Sequence, residues 1–293
     1  MKINLLAPDS NMSNLACMKI SSYHKAKGDE VTFNFPLQPA DYTYASILFS
    51  WTPDPYANMI GGSKYPQIFL PDDINKCFPD YSLYPNLDYS LGYTYRACPR
   101  KCWFCVVPLQ CQDKTHYSIS TFHNPKFKKI CLMNNNTLAD PEWRKTFEEI
   151  WEANLIMTCQ KDFDARLITE KSAEYIAKTK IEGQIRIAWD FIQDEEKILR
   201  GIRLLQNQKA KNLMCYVLIG HITHEENLYR VLTLKTIGVD PFVMPLNKFD
   251  PYQKRFARWV NHKAIFKSVK WEDYGGKIAE QRLAQEILLR EMN

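Results

Sequence analysis

Long apolar runs are missing from this 293-residue chain. No stretch approaches the roughly 20 residues that a bilayer-crossing helix needs, so no membrane partner is expected. A strong charge of one sign is missing too: the formal net charge is +5, which permits nucleic-acid binding without arguing for it. The opening residues, Met1 to Asp9, turn polar too soon for a secretory signal, and a cytoplasmic location is the default expectation. A disulfide framework is also absent. The nine cysteines are odd in number; three crowd into one loop and the others are scattered, as in a reducing compartment. Cys131, Cys159 and Cys215 fall in expected strands, where a thiol acts as a small apolar group. No short-period repeat exists beyond an alternation of strand and helix signals. What remains is an ordinary globular composition, 45% hydrophobic and 24% charged, with length for one large domain or two smaller ones.

The crowded loop is Cys98-Pro-Arg-Lys-Cys102-Trp-Phe-Cys105, a C-x3-C-x2-C spacing. Three thiolates from one tight loop suit an iron–sulfur cube, which normally takes four. The fourth iron is then open, and an open position is what a catalytic metal site requires. A structural zinc loop is the alternative. Zinc usually takes four ligands from two knuckles, and only Cys111 lies nearby as a fourth. The spacing, with Phe104 just before the last cysteine, resembles the signature of the radical S-adenosylmethionine (SAM) superfamily. That resemblance implies a [4Fe–4S] cluster on Cys98, Cys102 and Cys105, with SAM on the open iron. It also implies an electron donor such as flavodoxin or ferredoxin, and radical abstraction of hydrogen from a substrate.

Residues 1–85 read as a small Rossmann-like α/β region. Strands are expected at Lys2–Ala7, Val31–Phe35, Ala45–Trp51 and Met59–Ile60, with a helix over Asn14–Lys27 that stops at Gly28. This region resembles a shortened cobalamin-binding domain. The loop Asp9–Asn14 lacks the histidine of the D-x-H-x-x-G motif, so cobalamin is not expected. The Gly61-Gly62 pair suits a plain turn. A Pro- and Tyr-rich connector, Pro66 to Pro85, follows.

From there strands and helices alternate, the pattern of a parallel sheet covered by helices. Strands are expected at Tyr89–Tyr95, Lys129–Met133, Leu155–Cys159, Ile185–Trp189, Leu213–Ile219 and Pro241–Leu246. Helices are expected at Pro141–Asn154, Thr169–Lys178, Asp194–Lys209, Thr223–Ile237 and Tyr252–Phe266. Six βα units over residues 86–250 resemble the partial (β/α)6 barrel of radical SAM enzymes. Residues 251–293 are expected to be a helical extension, with an amphipathic terminal helix at Lys277–Met292.

In barrels of this type the chemistry sits on the loops at the carboxyl ends of the strands. Asn134, Asn135 and Asn136 end the second strand, where the superfamily holds the amino group of SAM; a simple turn is the other reading. After the third strand, Arg166 suits a clamp on the methionine carboxylate, and Asp164 suits orienting that arginine or accepting from a ribose hydroxyl. A rim salt bridge would explain both equally. Asp190 ends the fourth strand, placed for ribose or substrate contact or to cap the next turn. Gly220 and His221 end the fifth strand in Tyr216-Val217-Leu218-Ile219-Gly220-His221, a partial match to the family's adenine-side segment. His221 is a proton donor, a substrate contact or a structural residue. Arg255, Arg258, Lys263 and Lys267 alternate with Phe256, Trp259 and Phe266. That pattern fits base stacking or, more simply, packing of the aromatic face. The expected substrate is small or nucleotide-like; the alternative is a non-catalytic iron–sulfur or zinc module that recognises nucleic acid.

Overall fold

The computed structural model describes residues 1–10, 12–110, 112–158 and 163–274. These residues pack as two compact units: residues 1–158 with 174–183, and residues 163–173 with 184–274. Each is an α/β assembly with parallel strands.

The first unit opens with strand β1 (Lys2–Leu6), helix α1 (Leu15–Ala26), β2 (Glu30–Phe33), β3 (Tyr42–Ser46) and β4 (Met59–Gly61). The strands pair in parallel in the order β2-β1-β3-β4. Asn14 starts α1, its side chain accepting from the Cys17 N–H at 3.1 Å, a strong N-cap. The core of this layer is Ile3, Leu5, Ala7, Cys17, Ile20 and Ile74. β3 ends earlier than its apolar run implies. Asp9 explains this: its carboxylate accepts from the N–H groups of Leu48 and Phe49 and from the Thr52 hydroxyl. Backbone that would have continued a ladder is bonded to a side chain instead.

The same unit continues through a short helix α2 (Asp72–Asn75) to β5 (Tyr89–Gly92), β6 (Lys129–Leu132), helix α3 (Trp143–Glu152) and β7 (Ile156–Thr158). After helix α4 (Glu170–Lys178) comes β8 (Ile181–Glu182), and the sheet order is β5-β6-β7-β8, all parallel. Leu15, Met18, Tyr81, Leu91 and Cys131 form one apolar cluster, so α1 shares a core with β5 and β6. Gly92 is required by packing. A Cβ there would lie 2.2 Å from the ring of the buried Phe122.

The second unit contains β9 (Ile185–Ala188), α5 (Glu195–Asn207), β10 (Leu213–Ile219), α6 (His224–Thr236), β11 (Asp240–Pro245), α7 (Pro251–Asn261) and α8 (Lys263–Ser268). Its sheet order is β11-β10-β9, again parallel. Phe163 adds a single parallel bridge to Ile187 of β9. Helix α6 carries a full capping box between Thr223 and Glu226, and α7 has Asp250 as N-cap with Pro251 in its first turn.

The parallel α/β character matches the sequence pattern. Within the first unit the described strands β5–β8 form one parallel sheet, and within the second β9–β11 form another. β8, two residues long, carries no period that a sequence could reveal, and Gly183 (φ +85°) turns the chain directly after it. The expected single helix Tyr252–Phe266 is broken at His262, whose backbone leaves the helical region (φ −88°, ψ 89°) and whose side chain caps α8, while the Asn261 side chain bonds both backbone groups of Val243 on β11. Cys111, Cys159 to Asp162 and the helix expected at Lys277–Met292 lie outside the described residues. Among the described residues no helix is long and apolar enough to cross a membrane.

Candidate functional site at two sets of strand ends

The cysteine loop leaves the carboxyl end of β5. Cys98, Cys102 and Cys105 are half-buried, as is Phe104, while Trp103 is exposed and packs edge-on against it. The Cys105 N–H donates to the Cys102 carbonyl at 3.0 Å, closing a turn between the last two cysteines. The Val107 N–H points at Cys105 Sγ at 3.4 Å, and Asn136 Nδ2 at Cys98 Sγ at 3.9 Å. Gln112 staples the loop. Its Oε1 accepts from the Cys98 N–H at 3.1 Å, and its Nε2 donates to the carbonyls of Val107 at 2.6 Å and Gln110 at 3.2 Å.

Among the described residues no three His, Cys, Asp or Glu side chains already stand together at metal-holding distances. The donor chemistry nevertheless suits an iron–sulfur cluster. Three thiols share one loop, and amide N–H groups are directed at two of the sulfurs, the outer-shell arrangement that tunes such clusters.

The asparagine run at the end of β6 is tied to this loop residue by residue. Asn134 Oδ1 accepts from the N–H groups of Thr94 and Tyr95, at 2.9 and 3.1 Å, and its Nδ2 donates to the hydroxyls of Thr94 and Thr137. Asn135 Nδ2 donates to the Arg96 carbonyl at 2.6 Å, and Asn136 reaches Cys98. Asn134 is 1% exposed and fully engaged within the fold. Its carboxamide is a clamp on the loop's entry, where the sequence suggested a SAM contact or a turn.

In the second unit Arg166 forks onto Asp164, with Nε donating to Oδ1 at 2.7 Å and Nη2 to Oδ2 at 3.2 Å, and its Nη1 reaches Asp194 at 2.6 Å. Burial works against the guanidinium charge, but the two carboxylates outweigh it and its pKa is raised. Both groups are thus arranged as the salt bridge that the sequence left open. The Asp164 side chain also caps the short turn Ala165–Leu167.

Asp190 and His221 do come together. His221 Nε2 lies 3.0 Å from the Asp190 carbonyl, and its ring meets Phe191 edge-on. The Asp190 carboxylate accepts from the Leu218 N–H at 3.2 Å. Burial raises its pKa, opposed by that N–H and by Arg230, Arg166 and His221. Gly220 (φ +100°) follows β10, and a Cβ there would meet the Gln253 carboxamide at 2.4 Å. Backbone conformation and close approach both call for glycine.

Arg230 of α6 is the residue that holds this set together. It is 0% exposed. Its Nη1 donates to the carbonyls of Trp189 (2.6 Å) and Asp190 (3.0 Å), and its Nη2 to the Leu218 carbonyl (2.9 Å) and Asn227 Oδ1 (2.8 Å). One buried cation ties the ends of β9 and β10. Burial lowers its pKa to about 10, which still leaves it charged at neutral pH. Nothing in the sequence marks it, because on a helix of mixed polarity an arginine reads as surface. A second feature that was not visible in the sequence is His116 in the first unit. Its Nδ1 lies 2.7 Å from the buried Asp140 carboxylate.

The aromatic–basic helix packs inward. Phe256, Trp259 and Phe266 are buried, Arg255 and Arg258 are exposed, and Arg255 stacks on Trp271 at 4.6 Å. No protein-family model matches the chain, and no curated protein does either.

Proposed function

We propose that the protein is a radical SAM enzyme whose [4Fe–4S] cluster is held by Cys98, Cys102 and Cys105. The observation that carries this is the cysteine loop itself. Its three half-buried thiols follow the first strand of the parallel sheet β5-β6-β7-β8, and N–H groups are aimed at two of the sulfurs. Such a cluster, when bound, supplies one electron to SAM, whose C5′–S bond breaks to give methionine and the 5′-deoxyadenosyl radical that abstracts hydrogen from substrate.

The chain's own residues contribute holding and shaping. Asn134 and Asn135 fix the loop's entry, Gln112 fixes its closure, and Asn136 and Val107 direct N–H groups at sulfur. Asp190 and His221 at the ends of β9 and β10 are the candidate groups for a small or nucleotide-like substrate. A flavodoxin or ferredoxin is the reductant class this chemistry needs. Burial of Phe256, Trp259 and Phe266 removes the stacking surface on which the nucleic-acid alternative relied.

Anaerobic reconstitution followed by iron and sulfide analysis tests the reading. About four irons per chain are expected, with 5′-deoxyadenosine formed from SAM and dithionite. Replacing Cys98, Cys102 and Cys105 together by Ala abolishes both. Bound zinc with no charge-transfer absorbance, or iron without SAM cleavage, would overturn it.

A further inference from the structure

The carboxyl ends of β1, β3 and β4 open on a cavity of about 450 Å³. That is within the range of small-molecule sites. The sheet order β2-β1-β3-β4 reverses direction between β1 and β3. In open parallel sheets the crevice at such a switch point is where ligands bind. The cavity lies wholly within the first unit, and its far wall is the segment just before the cysteine loop, with Tyr93 and Arg96.

Two cations line this cavity, Lys19 of α1 and Arg96. They converge on one neutral residue: Lys19 Nζ donates to the Asn75 carbonyl, and Arg96 Nη1 to Asn75 Oδ1 at 3.4 Å. Among the described residues neither has a carboxylate within ion-pair distance. The one acidic residue at the rim, Asp72, is exposed and 4.0 Å from Lys76. The Arg96 guanidinium lies over the Tyr93 ring at 4.7 Å, which fixes its plane. Burial first, then the Arg96 charge, pulls the Lys19 ammonium down to about 8. Asp113 feels the Arg96 charge only from beyond ion-pair distance, and two like charges with no carboxylate in direct contact mark a place where an anion would be stabilised. The remaining walls are largely apolar, with Leu48, Met59, Phe69 and Met133 among them. The Gly61-Gly62 turn contributes shape only: Gly62 is dictated by the Ile47 backbone, whose carbonyl a Cβ would approach to 2.3 Å.

We propose that this cavity binds a phosphate monoester of mononucleotide size. Lys19 and Arg96 take the phosphate, and the apolar walls take the uncharged body. The cavity adjoins the cysteine loop through Arg96 and Gln110, but the proposal does not depend on the reading given above. SAM is a poor occupant, because its sulfonium would face two cations.

Isothermal titration of the full chain at low salt with AMP, adenosine and inorganic phosphate tests this. AMP is expected to bind at micromolar concentration, with adenosine and phosphate each at least about tenfold weaker, since each charge-assisted contact is worth about that factor or more. Lys19→Met keeps the aliphatic stem and Arg96→Gln keeps the length; each is expected to weaken AMP about tenfold or more, while SAM does not compete. On the wild-type chain, AMP should protect Lys19 from amine acylation, read by peptide mass spectrometry, so that a poorly folding variant does not leave the question open. Absence of AMP binding at ~1 mM, equal binding of adenosine, or acylation of Lys19 unchanged by saturating AMP would each overturn the proposal.

Discussion

The ends of β5 and β6 and the ends of β9 and β10 are built for the same task by opposite means. At β5 and β6 neutral carboxamides do the fastening: Asn134, Asn135 and Asn136 bind successive parts of the outgoing loop. At β9 and β10 a single buried guanidinium gathers three strand-end carbonyls, with the Asp190 carboxylate close by. Neutral amides lose modest solvation on burial, and their partners can be changed one at a time. A buried cation loses far more. It is kept because both terminal nitrogens are answered, each by two acceptors, so removing it strands several groups together. The first design holds a loop in register with little electrostatic field. The second creates a field, and that field shifts the proton affinity of its neighbour.

The largest expected effect is therefore at Arg230. Arg230→Met should destabilise the second unit by about 3 kcal/mol, since three carbonyls lose their donor. Arg230→Lys should recover little, because an ammonium lacks the planar fork. Urea unfolding followed by tryptophan fluorescence, to which Trp189, Trp259 and Trp271 of that unit contribute, measures it. A loss no greater than that of an average surface substitution would remove the distinction drawn here.

A smaller effect is expected at the amide end. Asn134→Ala should cost about 2 kcal/mol, because two buried N–H groups lose their acceptor. Asn136→Ala should cost under ~1 kcal/mol of stability yet speed iron loss from reconstituted protein to a chelator, since its N–H is aimed at sulfur. Equal stability costs at the two positions would mean that the ladder works as one cooperative unit, not in separate steps.

The subtlest test is pH. The Asp190 pKa is raised in the folded chain by burial. Its contribution to stability is then fully present below the ordinary carboxylate value of about 3.8 and is lost as pH rises through the folded value. Stability of the second unit should fall over that window, and Asp190→Asn should flatten the fall. The Asn134 clamp has no titratable group and contributes no slope of its own. A slope unchanged by Asp190→Asn would assign the titration to another group.

Much of this architecture was legible in the sequence. The apolar run Leu213–Ile219 is β10 to the residue, and Thr223, where the next helix was expected to start, is the N-cap of α6. The parts that were not legible have a common cause. β5 was expected to reach Tyr95 and stops at Gly92, because the next N–H groups bond to the Asn134 side chain. Past β3 the Ile47 N–H still reaches the Gly61 carbonyl, and the pairing goes no further because Asp9 takes the N–H groups of Leu48 and Phe49. In both places a side chain distant in sequence replaces a strand neighbour, and no local pattern records that. Arg230 escaped for the related reason that its partners are backbone carbonyls, which every residue has. The site residues differ in the same way. Cysteine spacing is a local signal and pointed to the loop, whereas Asn134 and Arg166 were marked by position alone and prove to be engaged with the protein itself.

The asparagine ladder has a consequence for how this loop tolerates change. Its rungs meet the backbone at Thr94, Tyr95 and Arg96 and the sulfur at Cys98, so the spacing of residues 94 to 98 is read out by the segment that follows β6. An inserted or deleted residue would shift every rung downstream of it, so loop transplants should keep the length up to Cys98, and the cysteine spacing with its Gln112 staple, and vary it only beyond Gln112.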